Sequence, residues 1–254
     1  MLLASGVPTI TELFDFQPIR DNPLGISWTV ISMFVAFCAA MLLMLTAFNR
    51  QEVVPGKLQL VGEGLVGFVR KNIADEVIGQ DGVRYLPYLT TVFVLILFFN
   101  LMEVLPGVAF PATSKIAVPI FFALLSYIVF NVEGVRANGP IKYLKGIMFP
   151  PGVPWFMYVL LTPIDFLSVL VIRPITLTLR LTFNMLAGHL ILSLLAVLAA
   201  TVSYPIGPKI LALPLIVVMG AMLTGFELFV GFLQAFIFTV LTALYIGGAI
   251  HPEH

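Results

Sequence analysis

The sequence predicts an all-α polytopic membrane protein with about five transmembrane helices and one amphipathic helix in the interface, the last two spans being long and strongly tilted. Three observations carry that reading. The 254-residue chain is 60% apolar and only 10% charged, whereas soluble domains run about half apolar and a quarter charged. Its mean hydropathy is +1.07. Several apolar runs reach or exceed the ~20 residues that a helix needs to cross a hydrocarbon core. A soluble core of this size would be sheathed in charge, and 13 basic and 13 acidic residues cannot do that while also serving every loop.

The elements follow in order. Segment 1–26 carries Glu12 and Asp15 and lacks a basic region followed by an apolar run, so it reads as an external N-terminal segment with no cleavable signal peptide. The run 27–48 is the first span. Over 54–79, Leu58, Val61, Leu65 and Phe68 recur at helical spacing while Lys57, Glu63, Arg70, Lys71, Asp75 and Glu76 supply a polar face, which predicts an amphipathic helix in the interface. Stretches 85–105 and 116–132 are the second and third spans, forming a helical hairpin over 85–132 whose turn holds the breaks at Pro106-Gly107 and Pro111-Ala112-Thr113-Ser114. The remainder, 155–250, is a long tilted helical hairpin. Its arms, 155–202 and 210–250, are too long for upright crossings, and no polar loop divides either. A turn inside lipid would leave backbone groups unpaired, so each arm reads as one oblique helix. Pro163 and Pro174 are expected to kink the first arm, and a Pro-Gly turn at 203–208 joins the two.

Basic residues set the orientation. Arg50, Lys57, Arg70, Lys71 and Arg84 fall between the first two spans and Arg136, Lys142 and Lys145 after the third, against Arg20, Lys115 and Lys209 on the other side. The positive-inside rule then predicts the N-terminus outside and the 251–254 tail in the cytoplasm. With zero formal charge and no basic block, nothing points to nucleic acid. Cys38 is the only cysteine and lies in an apolar run, so neither a disulfide nor a thiolate metal site is expected. No cofactor is predicted.

The residues that ask for an explanation are the ionisable ones at membrane depth, each costing about 2.5–3.5 kcal/mol on insertion scales. They are Glu103, Asp165, Arg173, Arg180, His189 and Glu227, with Asn100, Asn184 and Gln234 as polar companions. On a helix turning about 100° per residue, Arg173, Arg180 and Asn184 stay within roughly 40° of one direction while His189 points about the opposite way. Glu227 and Gln234, seven apart, share a stripe. Two polar faces on one apolar helix predict two aqueous routes separated by that helix. Arginine suits the separator, because its guanidinium does not release a proton yet favours ionisation of a nearby carboxylate. His189 and Glu227 are titratable types suited to a proton relay; a metal role for His189 is disfavoured, since no second histidine stands at helical spacing. Arg173, beside Pro174, fits a snorkelling interfacial arginine and a functional one equally. Asn100 and Glu103 fit a helix terminus as well as a channel wall, and Asp165 beside Pro163 is open in the same way. The glycines at 188, 247 and 248 read as close-packing surface.

The run Arg173-Pro174-Ile175-Thr176-Leu177-Thr178-Leu179-Arg180-Leu181-Thr182-Phe183-Asn184-Met185-Leu186-Ala187-Gly188-His189 closely resembles the signature of subunit a of F-type ATP synthases. A second run, Leu233-Gln234-Ala235-Phe236-Ile237-Phe238-Thr239-Val240-Leu241-Thr242-Ala243-Leu244-Tyr245, resembles that family too, with Glu227 seven residues before the glutamine. Weaker similarity at 54–59 and 99–106 extends the match over nearly the whole chain. The resemblance implies a non-catalytic stator in a bacterial cell membrane, its long hairpin pressed against a rotor ring of small hairpin subunits (subunit c), each with one essential carboxylate. The peripheral stalk subunit b and a catalytic head on other chains complete the complex. It implies that Arg180 faces the ring carboxylate, that His189 and Glu227 relay protons in a half-channel open to the outside, and that Asn184 and Gln234 are their polar neighbours. Arg173, Asp165, Asn100 and Glu103 are further candidates for channel lining. This chain departs from many relatives in having Phe183 where a glycine is common and Asp165 eight residues before Arg173 where a glutamate at seven is expected.

Two other function classes predict different sequences. A stand-alone proton-coupled transporter calls for paired repeats with broken helices, and an intramembrane hydrolase for a Gly-x-Ser-x-Gly elbow or a His-Glu-x-x-His pair. Neither pattern is present.

Overall fold

The structure is a computed structural model of the chain, and it describes residues 28–49, 56–104, 116–148, 157–203 and 213–250. The segment 1–26 expected to be external, the tail 251–254 and most of the turns expected at 106–114 and 203–208 lie outside those residues. Among the described residues every regular element is a helix, and five stretches are long and apolar enough to cross a membrane: Val30–Asn49, Lys57–Met102, Ala117–Asn138, Arg173–Ala199 and Leu213–Ile250.

Helix α1 (Trp28–Asn49) buries Ala36, Ala40 and Ala47 while Phe34, Leu42 and Leu45 stay outward. Small residues on the inner face let a neighbour approach closely, the usual device where lipid rather than water surrounds the helix. That neighbour is α2 (Lys57–Val69), whose Gly62 leaves room where a Cβ would collide with Ala47. Without a break α2 widens into a π-helical segment, Arg70–Ile78, which ends at Gly79 with φ of 77°. Phe68 fixes this arm, its ring 5.7 Å from Phe93, 5.7 Å from Phe236 and 5.6 Å from Phe232.

Helix α3 (Gly82–Val104) leads to α4 (Ala117–Asn138), which runs past the end expected at 132. The charge just past that end is satisfied: Glu133 accepts hydrogen bonds from Tyr85 at 2.9 Å and Arg136 at 2.9 Å, with Arg84 at 3.6 Å. Gly139, with φ of 78°, ends the helix. A short helix not anticipated from the sequence, α5 (Pro140–Met148), folds back so that Tyr143 packs on Gly134.

Helix α6 (Tyr158–Leu167) continues through a second π-helical segment, Ser168–Ile172, into α7 (Arg173–Ser203). Pro174 has no amide hydrogen to return to the preceding turn, and the chain takes the wider π spacing just before it. Helix α8 (Leu213–Ile250) has 38 residues, about 57 Å at 1.5 Å each, so it must lie oblique to a hydrocarbon layer of about 30 Å.

Against α8 pack α3, α4 and α7. α3 and α7 run antiparallel to it, since Asn100 meets Gly231 and Ile78, just before α3, meets Gly247, while Gly188 meets Glu227 and Arg173 meets Tyr245. α4 runs parallel to it. The Ser126 hydroxyl lies 3.2 Å from Thr242 and 3.3 Å from Tyr88, and the Asn138 amide donates to the carbonyls of Ala249 and Ile250, capping the end of α8. The fully buried Phe93, Phe130 and Phe238 fill the space between these helices. In lipid such packing acts through dispersion and interhelical hydrogen bonds, the latter averaging about 0.6 kcal/mol each.

Candidate functional site: a polar seam beside an outward arginine

Helix α7 presents two faces. Leu177, Leu181 and Met185, with Thr178 and Thr182, are buried at helical spacing. Both threonine hydroxyls donate to their own helix, to Pro174 O at 2.8 Å and Thr178 O at 2.9 Å, and so present no free donor inward. The other face carries Ile175, Leu179 and Phe183, the last 59% exposed, and Arg180 is exposed among them. The ion pairs of the described residues involve Arg70, Arg84 and Arg136, not Arg180. One fixed cation thus stands exposed beside apolar residues, of which Phe183 is the most exposed, while Ile175 and Leu179 also border a cavity shared with Ile120 and Leu124 of α4.

The inward seam is different. On α8, Glu227, Gly231 and Gln234 follow one another along a single stripe. Gly188 of α7 admits the Glu227 carboxyl, since a Cβ there would sit 2.9 Å from its Oε1. From α3, the 2% exposed Asn100 donates its amide to Gly231 O at 2.9 Å. Three buried atoms in this seam make no hydrogen bond among the described residues: Glu227 Oε2, Gln234 Nε2 and Asn100 Oδ1. Leaving a buried polar atom unpaired costs about 1–3 kcal/mol, so three together mark a place built to accept water or protons.

At the opposite end of α7, Arg173 is half-buried and its guanidinium lies 4.8 Å from the centre of the Tyr245 ring. Tyr143 is close by and donates its hydroxyl to Asn131 Oδ1 at 3.1 Å. Burial raises its phenol above the ordinary value, and the nearby Arg173 charge opposes that rise. With Gly188 level with Glu227 and Arg173 level with Tyr245, Arg180 falls near the level of Ala235 to Phe238, about 10 Å along the helix from each pair.

The structure therefore brings Asn100, Glu227 and Gln234 together, leaves Arg180 exposed, and sets Arg173 over the Tyr245 ring. Asn184 is half-buried on α7, and Asp165 is half-buried on α6 beyond the π-helical segment. The side chains of His189 and Glu103 lie outside the described residues. Among the described residues no group of three His, Cys, Asp or Glu is placed to hold a metal ion. Sequence reasoning missed the parts played by Gly188 and Gly231, whose signal was a glycine facing a polar residue of another helix, and by Tyr245, a polar aromatic level with a buried arginine.

Comparison with known proteins places the chain among relatives of one kind. A family model described as ATP synthase A chain matches residues 26–247. ATP synthase subunit a of Parafrankia sp. (strain EAN1pec) is 43% identical over 93% of this chain and 79% of its own length. That of Frankia alni is 40% identical over 89% of this chain and 78% of its own length. The Magnetococcus marinus protein of the same name is 34% identical over 98% and 96% respectively.

Proposed function

The chain belongs to the ATP synthase A chain family, and from that membership we propose that it is the stationary proton-conducting subunit of a bacterial F-type ATP synthase. It is a multi-pass membrane component of a larger complex and moves protons in a process coupled to ATP synthesis. In the proposed mechanism, protons enter a half-channel from the outside along the seam of Asn100, Glu227 and Gln234, with His189 and Asn184 beside it. They pass to a carboxylate on a neighbouring ring of small hairpin subunits. Arg180 stands against the return of that carboxylate in its protonated form, because a nearby guanidinium favours the ionised state. It does not itself carry the proton, since it does not deprotonate in proteins. The neutralised ring site travels through lipid and releases its proton to a second half-channel on the cytoplasmic side.

The observation that carries this reading is the division on α7: a lone outward cation on one face and orphaned polar atoms against the other. A continuous pore needs no such division. A ring helix needs a dry apolar surface, which Ile175, Leu179 and Phe183 supply around Arg180. Catalysis of ATP synthesis and hydrolysis falls to other chains, the peripheral stalk subunit b holds this one stationary, and basic residues such as Arg84, Arg136, Lys142 and Lys145 put its intervening loops in the cytoplasm. Each proton crossing 100 mV delivers about 2.3 kcal/mol, so several are summed for one ATP. Arg180→Ala tests the assignment: ATP-driven proton pumping is lost while the complex still assembles. Pumping at the normal rate would remove Arg180 from the mechanism.

A further inference from the structure

We propose that Arg173, seated on the Tyr245 ring, is a second electrostatic barrier that closes the cytoplasmic end of the α7–α8 seam and stops protons in the outer half-channel from bypassing the ring. The proposal rests on the half-channel reading above. That reading leaves a question which Arg180 does not answer. Arg180 is outward, toward the surface where the ring carboxylate arrives, whereas the polar seam lies on the inward side of α7. Water reaching Gln234 is therefore not stopped by Arg180 from continuing inward between the helices.

Below Gln234 the side of α8 that packs on α4 is not uniformly apolar. Thr239 and Thr242 are fully buried on α8, and Ser126 lies opposite Thr242. The two threonine hydroxyls donate to Ala235 O at 2.8 Å and Phe238 O at 2.9 Å, so water gains a hold at that depth only where thermal motion opens those bonds. The next level holds Arg173, half-buried, with its charge 4.8 Å over Tyr245. A guanidinium fixed in a seam between helices repels hydronium, does not release its own proton, and is held there by the ring quadrupole. Channels that must pass water but not protons use an arginine in this way. The position is specific, because α7 and α8 meet at this level just where the π-helical segment ends, and Tyr143 closes the same corner from α5.

The test uses the intact complex, purified with its full set of subunits and reconstituted in liposomes. Passive proton flux is driven by a potassium diffusion potential with the catalytic head arrested by a non-hydrolysable ATP analogue, so that the ring does not turn. Arg173→Gln is expected to raise this leak about tenfold, the change that a barrier lowered by about 1.4 kcal/mol produces. At pH 6, where an ammonium with an ordinary pKa of about 10.4 keeps its proton, Arg173→Lys, which keeps the charge, and Tyr245→Phe, which keeps the ring, stay close to wild type, while Tyr245→Leu leaks. A wild-type leak in Arg173→Gln overturns the proposal. So does an equal leak in Arg173→Lys, which would make packing rather than charge the seal. A slower ATP-driven pump without leak would make Arg173 a channel wall instead, and also overturns it. If Arg173→Gln does not assemble, Tyr245→Leu decides alone, and its failure to leak refutes the barrier. Normal pumping by Arg180→Ala would refute the underlying reading separately.

Discussion

Replacing Gly188 by alanine puts a single methyl group against the Glu227 carboxyl, the group assigned above to the proposed outer half-channel. The added Cβ would lie 2.9 Å from Glu227 Oε1, 3.2 Å from Cδ and 3.5 Å from Cγ. Non-bonded atoms settle at about 3.5–4.0 Å, so the carboxyl must retreat by roughly 0.5–1 Å. Glu227 is a flexible side chain and the backbone is not the obstacle, so the energetic cost is that of an off-rotamer side chain, about 0.5–1.5 kcal/mol. That is small for folding but large for proton transfer, because a misplacement of about 1 Å can cost about 100-fold in rate. Gly188→Ala is therefore expected to assemble in normal amounts while ATP-driven acidification of inverted vesicles, normalised to ATP hydrolysis, falls about 10- to 100-fold. Glu227→Asp shortens the acid by one methylene and restores the space, so the double variant should lose less than the two single losses combined. Wild-type pumping in Gly188→Ala, or losses that simply multiply, would show that the contact with Glu227 has no part in transport.

Two further outcomes separate structure from function. Asn100→Leu keeps the volume, gives up the hydrogen bond to Gly231 O, worth about 1 kcal/mol, and also removes an unpaired buried acceptor, so thermal stability should hardly change; pumping should fall, because an apolar wall replaces a polar one, and unimpaired pumping would take Asn100 out of the channel. Glu133→Gln leaves Arg84 and Arg136 without their shared counter-charge, and because both arginines are largely exposed the loss should be about 1 kcal/mol. It should appear as faster thermal inactivation of the complex with little change in pumping at low temperature, and a large pumping defect would mean that this cluster belongs to the proton path.

What could be read from the sequence was what depends on one segment at a time. Apolar length gave five stretches long enough to cross, although the second runs from Lys57 to Met102 where a separate interfacial helix over 54–79 and a span over 85–105 were expected. The absence of a polar break gave the continuous helical run from Tyr158 to Ser203. Where a residue's partner sits on another helix, the sequence was silent. The third span was expected to end at 132, whereas the helix runs on to Asn138 because Glu133 is satisfied by Tyr85 and Arg136, partners that lie outside the apolar run. The stretch 140–148 is basic and bracketed by Gly139 and Pro150, which hides a helix that is seated by Tyr143 against Gly134. Counting at 100° per residue put Arg173 and Arg180 on one face, but no count along α7 contains Tyr245, the ring on which the Arg173 guanidinium rests. The π-helical segments have no compositional mark that distinguishes them from α-helix. The stripe of Glu227 and Gln234 was legible from their spacing, whereas the glycines that make room beside it were not, since Gly188 looks like packing until the carboxyl against it is known.

Disulfide crosslinking across α7 tests most directly whether the Arg180 face meets the rotor. With the exposed native thiol removed as Cys38→Ser, single cysteines are placed on the Arg180 face, as Leu179→Cys or Phe183→Cys, or on the inward face, as Leu181→Cys or Met185→Cys. Each is paired with a cysteine one turn from the membrane carboxylate of the ring subunit and exposed to a mild oxidant. The account predicts crosslinks from 179 and 183 and none from 181 and 185; crosslinks from the inward pair, with the outward pair silent, would contradict it.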